Sequence, residues 1–132
     1  MKAIRRFHLK NPLGNRGEND AATFLRSLGY KILDRNYRNA VGKALGEIDI
    51  VAKDGDEIVF VEVKARTASE RSSVLPEESI TFGKLRKLER ISSAYLREKS
   101  VLSAQYRFDA VLVMYGDSPH GSEIRHFKSI FL

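Results

Sequence analysis

The chain has 132 residues, 42% of them hydrophobic and 30% charged, with 23 Lys and Arg against 17 Asp and Glu for a formal net charge of +6. That length suits one domain with a single core, and a basic balance of this size favours a polyanionic partner. The lack of cysteine excludes a disulfide framework and a thiolate zinc site, no apolar run approaches the ~18–20 residues that span a bilayer, and MKAIRRFHLK lacks the apolar segment of a secretory signal, so a cytoplasmic location is expected.

Residues 1–13 read as a basic arm carrying Lys2, Arg5, Arg6, His8 and Lys10, and residues 14–132 as the domain. Asn15 is placed to cap a first helix, with Glu18 three residues on as capping-box partner. Ala21, Ala22, Leu25 and Leu28 recur at helical spacing, Glu18 lies on the same stripe, and Gly29 is a suitable stop. An acid in a first turn also favours the helix dipole, so Glu18 needs no further role on local grounds. Tyr30–Asn39 reads as a strand, at an edge by its charges. Ile48–Ala52 and Ile58–Val63 flank Asp54-Gly55, a strong hairpin signal. Thr67–Glu78, with Pro76, is a polar loop. Thr81 can cap a second helix to about Lys99, with Leu85, Leu88, Ile91, Tyr95 and Leu96 as its apolar face. Tyr106–Tyr115 is a fourth strand whose Val111, Leu112, Val113 and Met114 suit burial on both faces. Glu123–Phe131 holds a last short strand. The order α-β-β-β-α-β-β predicts an α/β fold with a mixed sheet flanked by helices, and the helix between strands three and four permits a parallel crossover.

The hairpin carries the chemistry. With Asp54 and Gly55 as a two-residue loop, Ala52 faces Glu57, Ile50 faces Val59 and Ile48 faces Val61. Side chains alternate between faces, so one face collects Ile48, Ile50, Ala52, Val59, Val61 and Val63. The other collects Val51, Ile58 and Phe60 near the turn, then Glu47, Asp49, Glu62 and Lys64. Asp49 and Glu62 become diagonal neighbours, roughly 7–8 Å apart. Charges beside a core are costly unless paired or metal-bound. Mg²⁺ takes oxygen ligands in a near-octahedral shell; Asp49, Glu62 and the carbonyl of Val63 are candidate donors, and Lys64 points at the same region, where it would orient water or stabilise charge on a phosphate. The plainer alternative is a surface Glu62–Lys64 ion pair with Asp49 merely solvated.

Asp49 followed by Glu62-Val63-Lys64 resembles the D…(D/E)-x-K signature of the PD-(D/E)XK nuclease superfamily. GNRGENDAA (14–22) and RFDAV (107–111) narrow the resemblance to the small bacterial YraN-like family, whose fold relatives are archaeal Holliday-junction resolvases. It covers about residues 10–130. It implies a restriction-endonuclease-like core, Mg²⁺ (or Mn²⁺) held by Asp49 and Glu62, Lys64 as catalytic lysine, and Glu18 as the helix-borne acid that completes the set. Ile48 stands where the superfamily has Pro, and the stretch after Arg66 is Ser-rich here.

The second helix carries Lys84, Arg86, Lys87, Arg90 and Arg97, either a solvated face or a phosphate track. With Arg16 and Arg66, the candidate nucleic-acid contacts are Arg16, Arg66, Lys84, Arg86, Lys87 and Arg90. His8, His120 and His126 lack mutual spacing and read as surface or packing residues, and Asp109 as a structural acid paired with a basic neighbour. The expected function is Mg²⁺-dependent hydrolysis of DNA phosphodiesters at branched or structured DNA, with no membrane partner and a two-fold homodimer suited to a symmetric junction. The rivals are a non-cleaving nucleic-acid-binding module on the same fold and a protein-interaction scaffold.

Overall fold

Among the described residues, apolar residues at alternating and at helical spacing produce two helices packed on opposite faces of one five-stranded sheet. The computed structural model describes residues 12–38, 46–67, 82–101, 104–116 and 121–130, with side chains from residue 86 onward in the second helix. The elements are α1 (Pro12–Ser27), β1 (Lys31–Tyr37), β2 (Ile48–Asp54), β3 (Glu57–Thr67), α2 (Phe82–Glu98), β4 (Tyr106–Tyr115) and β5 (Ser122–Phe127). The predicted order and the mixed sheet are both present. Strands lie in chain order, β1-β2-β3-β4-β5. Among the described strands only β3 and β4 are parallel, joined through α2, from Ile58↔Tyr106 to Thr67↔Tyr115. β1 is an edge strand, as its charges suggested. Among the described residues no helix is long and apolar enough to cross a membrane.

Alternation on the central strands makes two cores. Ala21, Ala22 and Leu25 of α1 pack on Ile50, Ala52, Val59, Val61, Val111 and Val113. Ile91, Tyr95 and Leu96 of α2 pack on Tyr37, Val51, Ile58, Phe60 and Phe108. The rings of Tyr37 and Tyr95 meet edge to face at 4.9 Å, a favoured aromatic geometry. Ile48 joins this second cluster rather than the face of Ile50, a departure from the expected alternation at the point where β2 leaves β3.

Three local expectations are corrected. α1 begins at Pro12, so Asn15 lies inside the helix and is not its cap; proline suits a first turn because its φ is preset and it has no N–H to satisfy. Glu18 therefore sits in the second turn, outside any capping box. Leu28 is exposed, because the helix has already ended. Gly29 takes φ 92°, its N–H donates to the Arg26 carbonyl and that of Tyr30 to the Leu25 carbonyl, a glycine-terminated C-cap.

The hairpin loop is Gly55-Asp56 rather than Asp54-Gly55, closed by Asp54↔Glu57. Gly55 takes φ 62° at the first loop position, where a type II′ turn requires glycine; the expected loop would have placed Asp54 at that position. The partners of each strand move by two residues, Ala52↔Val59 and Ile50↔Val61, so the side chains keep their faces. The arm at residues 1–11, Thr81, the loop at 68–78, His120, and the side chains of Lys84 and Leu85 lie outside the described residues.

Candidate active site where the hairpin opens

The β2–β3 ladder ends at Ile50↔Val61. One step further it would set Asp49 opposite Glu62, side by side rather than diagonal. Instead the strands part. Asp49 is buried, 5% exposed, and its Oδ2 accepts the Val63 N–H at 2.8 Å. The side-chain carboxylate thus takes the place of a ladder carbonyl, satisfying an N–H that the opening leaves without a strand partner. This excludes an Asp49 that is merely solvated. Glu62 and Lys64 form an ion pair at 3.4 Å, each side chain about a quarter exposed (24% and 22%). Their alternation with Val63 and Ala65, which pack toward α1, turns both toward the α2 face.

A helix linking two parallel neighbours must run back against them. The first turns of α2 therefore lie level with the C-terminal ends of β3 and β4, where Glu62, Lys64 and Arg66 are. Arg86, Lys87 and Arg90 are exposed there, and Arg86, Arg90 and Arg97 line one shallow groove along the outer side of the helix. The guanidinium of Arg66 donates to the Ala65 carbonyl at 3.0 Å. Arg16 approaches the same end of the sheet from the α1 side. It lies 4.0 Å over the ring of Tyr115, whose hydroxyl donates to Asp20. Burial, together with that hydrogen bond, pushes the Tyr115 hydroxyl above the ordinary phenol range.

Glu18 is buried, 2% exposed. Its Oε1 accepts from Asn36 Nδ2 at 2.8 Å and lies 3.8 Å from Arg35, so these contacts of its carboxylate face β1. The preceding Gly17 explains how close α1 comes to β3: a Cβ there would lie 2.7 Å from the Ala65 Cβ. Among the described residues no three or more His, Asp or Glu side chains converge as a ready metal-binding group. Asp49 is tied to Val63 and Glu62 to Lys64, two pairs on adjacent strands where the ladder opens; the contacts of Glu18 with Asn36 and Arg35 lie on β1.

A second polar centre was half legible. Asp109 is fully buried and is held by Arg107 at 3.0 Å, by His126 Nε2 at 2.8 Å and by the Ser129 N–H at 3.0 Å. Burial works against its charge, but these hydrogen bonds outweigh it and hold its pKa below the ordinary carboxylate value. Arg107 also reaches Glu57 at 2.7 Å and Asp54 at 3.2 Å. Burial disfavours its cation, yet the bonds to Asp109 and Glu57 raise its pKa. The expected pairing of Asp109 with a basic neighbour is present, and Arg107 is that neighbour. The long-range partner His126 was not expected, because nothing near it in sequence points to β4.

Residues 17–113 match the family described as "Uncharacterised protein family UPF0102". The chain is similar to a "UPF0102 protein" of Caldicellulosiruptor saccharolyticus, 40% identical over 122 residues, covering 92% of this chain and 98% of that one. It is also similar to one of Rhodococcus opacus, 39% identical with 90% and 95% covered, and one of Geobacter sulfurreducens, 38% identical with 94% and 91% covered.

Proposed function

The chain belongs to the uncharacterised protein family UPF0102, and we propose that it is a metal-dependent nuclease of the PD-(D/E)XK type, with a restriction-endonuclease-like core, acting on DNA phosphodiesters in branched or structured DNA. One observation carries this: Asp49 and Glu62 stand on adjacent strands at the opening of the ladder, with Asp49 buried against Val63 and Lys64 beside Glu62. The donors are all oxygens and two are carboxylates, which fits a hard cation that keeps several waters. Asp49, Glu62 and the Val63 carbonyl would hold Mg²⁺ or Mn²⁺, and the bound ion would supply Lewis-acid polarisation of the phosphate and a more acidic water.

The chain's own residues supply the remainder. The Val63 N–H fixes the orientation of Asp49. Lys64, paired to Glu62, offers an ammonium to charge developing on the phosphate. To serve as the third acid that the resemblance implies, Glu18 would have to turn from Asn36 and Arg35 of β1. Arg86, Lys87 and Arg90, with Arg16, Arg66 and Lys84, hold the backbone, contacts that position a substrate without reading its sequence. A two-fold homodimer would present two such sites to a symmetric junction.

The Lys64–Glu62 ion pair is the observation that favours the alternative, a non-cleaving nucleic-acid-binding module, because the pair satisfies itself. The test is cleavage of labelled duplex, four-way-junction and flap DNA in Mg²⁺ or Mn²⁺, run beside gel shifts in Ca²⁺. Glu62→Gln should abolish cleavage and keep binding. Lys64→Ala should lower the rate by about 10²–10³, the usual loss of one electrostatic stabiliser. Activity unchanged in Glu62→Gln marks a contaminant and ends the mechanism. Binding without cleavage on every substrate establishes the alternative.

A further inference from the structure

At the other end of the hairpin, β1, the β2–β3 turn and the end of α2 line an open cavity of about 420 Å³. That is within the range of small-molecule pockets, ~300–1,000 Å³. Two irregularities build it. The first is a bulge between Ile32 and Asp34 of β1. Successive side chains of a regular strand point to opposite faces, and a bulge re-aims one. Here Leu33 packs with the α2 cluster, while the neighbouring Asp34 also turns that way and accepts the Tyr95 hydroxyl at 2.8 Å. The second is the end of α2. Ser100 takes φ 59°, the Val101 N–H donates to the Leu96 carbonyl at 2.8 Å, and the turned chain lays Val101 and Ala104 against the same cluster.

The cavity is amphipathic. Its floor is apolar, formed by Leu33, Ile58, Val101 and the body of Tyr95. Its rim is cationic. Lys31 and Lys53 stand directly opposite each other across β1 and β2 and both line the cavity. Like charges in that relationship destabilise a sheet, and neither lysine has an ion-pair partner among the described residues. Lys99 closes a third side, 4.0 Å from Asp34 and 5.7 Å from the Tyr95 ring centroid. Asp34 and Asp56 add carboxylate acceptors.

We propose that this cavity binds a nucleoside monophosphate, either free or at the end of a strand. The phosphate lies between Lys31 and Lys53 and relieves their repulsion. The flat base covers Ile58 and Val101, and Asp34 or Asp56 accepts its amino or ribose hydroxyl hydrogens. A simple anion would use the rim and leave the floor wet; a purely apolar ligand would leave the lysines opposed. Ile58 and Glu62 are four residues apart on β3, about 13 Å along an extended strand, so this site is separate from the carboxylates and does not depend on cleavage.

The experiment titrates the full chain with adenosine 5′-monophosphate, adenosine, inorganic phosphate and a 5′-phosphorylated oligonucleotide, by calorimetry and by amide chemical shifts. The monophosphate should bind more tightly than adenosine or phosphate and should move the Val101 and Ala104 amides. Lys31→Ala with Lys53→Ala, both at exposed positions, should weaken it by about tenfold or more, as expected for losing charge-assisted hydrogen bonds. Glu62→Gln should leave it unchanged. If the oligonucleotide alone binds and the lysine pair governs it, a strand end is the occupant. Equal affinity for phosphate and monophosphate, insensitivity to the lysine variants, or no binding by either nucleotide form overturns the proposal.

Discussion

The Val63 N–H donates to Asp49 Oδ2 at 2.8 Å, at the first step beyond the β2–β3 ladder. A side chain has replaced a backbone acceptor there, which lets the two strands part without orphaning a buried donor. The same bond fixes a carboxylate at the opening, beside the position that Glu62 occupies on the neighbouring strand.

Two substitutions at Asp49 should therefore separate. Asp49→Asn keeps an oxygen acceptor for Val63 but removes the charge, so the protein should fold near normally and lose Mg²⁺-dependent heat in calorimetry. Asp49→Ala also leaves the N–H unsatisfied and should lower unfolding free energy by about 1–3 kcal/mol, read from urea titration. Equal stability of the two variants would contradict the capping role.

Gly17→Ala tests the contact of α1 with β3. The new Cβ would lie 2.7 Å from the Ala65 Cβ, and neither group can rotate away. A loss of about 1–3 kcal/mol is expected, the usual range for overpacking. Gly17→Ala in an Ala65→Gly background should recover part of it.

The basic face of α2 predicts a salt-dependent signature. If about five phosphates are contacted on duplex DNA, log K should fall against log[salt] with a slope near −4.5. Arg86→Ala with Arg90→Ala should weaken binding across sequences and reduce the slope by about 2. Arg66→Ala, closer to Lys64, serves as a comparison.

The buried Asp109 should govern acid stability. Its folded pKa lies below the ordinary 3.8, so its contribution is complete above that value and is lost as pH falls below it toward the folded pKa. Stability followed by urea midpoint should drop below about pH 4. Asp109→Asn should flatten that drop and destabilise the protein at pH 7 by about 1–3 kcal/mol, because Arg107 loses one charged partner but keeps Glu57 and Asp54.

Tyr37 should report at the alkaline end. Burial, then its hydrogen bond to Glu98, pushes its hydroxyl up to about 12. A raised folded pKa stabilises below the unfolded value of 10 and is lost as pH rises through the folded one. Stability should fall across that window, and Tyr37→Phe should be flatter there.

The element order, the edge position of β1, the two helices and the double burial of β4 were all legible from periodicity and turn residues, because those signals are local. So was the placing of Glu62 and Lys64 on one face, since strand parity survives a two-residue change of register. Tertiary structure decided the rest. The hairpin loop moved to Gly55-Asp56 because a single glycine at the first loop position satisfies the turn. Asp49 became a capping group because β2 and β3 diverge, which no residue of β2 announces. Glu18 of α1 turned toward Asn36 and Arg35 of β1, and His126 found Asp109 across the β4–β5 pair. Spacing along the chain dictates which residues share a face of one element; only the packing of elements against one another dictates which buried polar groups must satisfy each other.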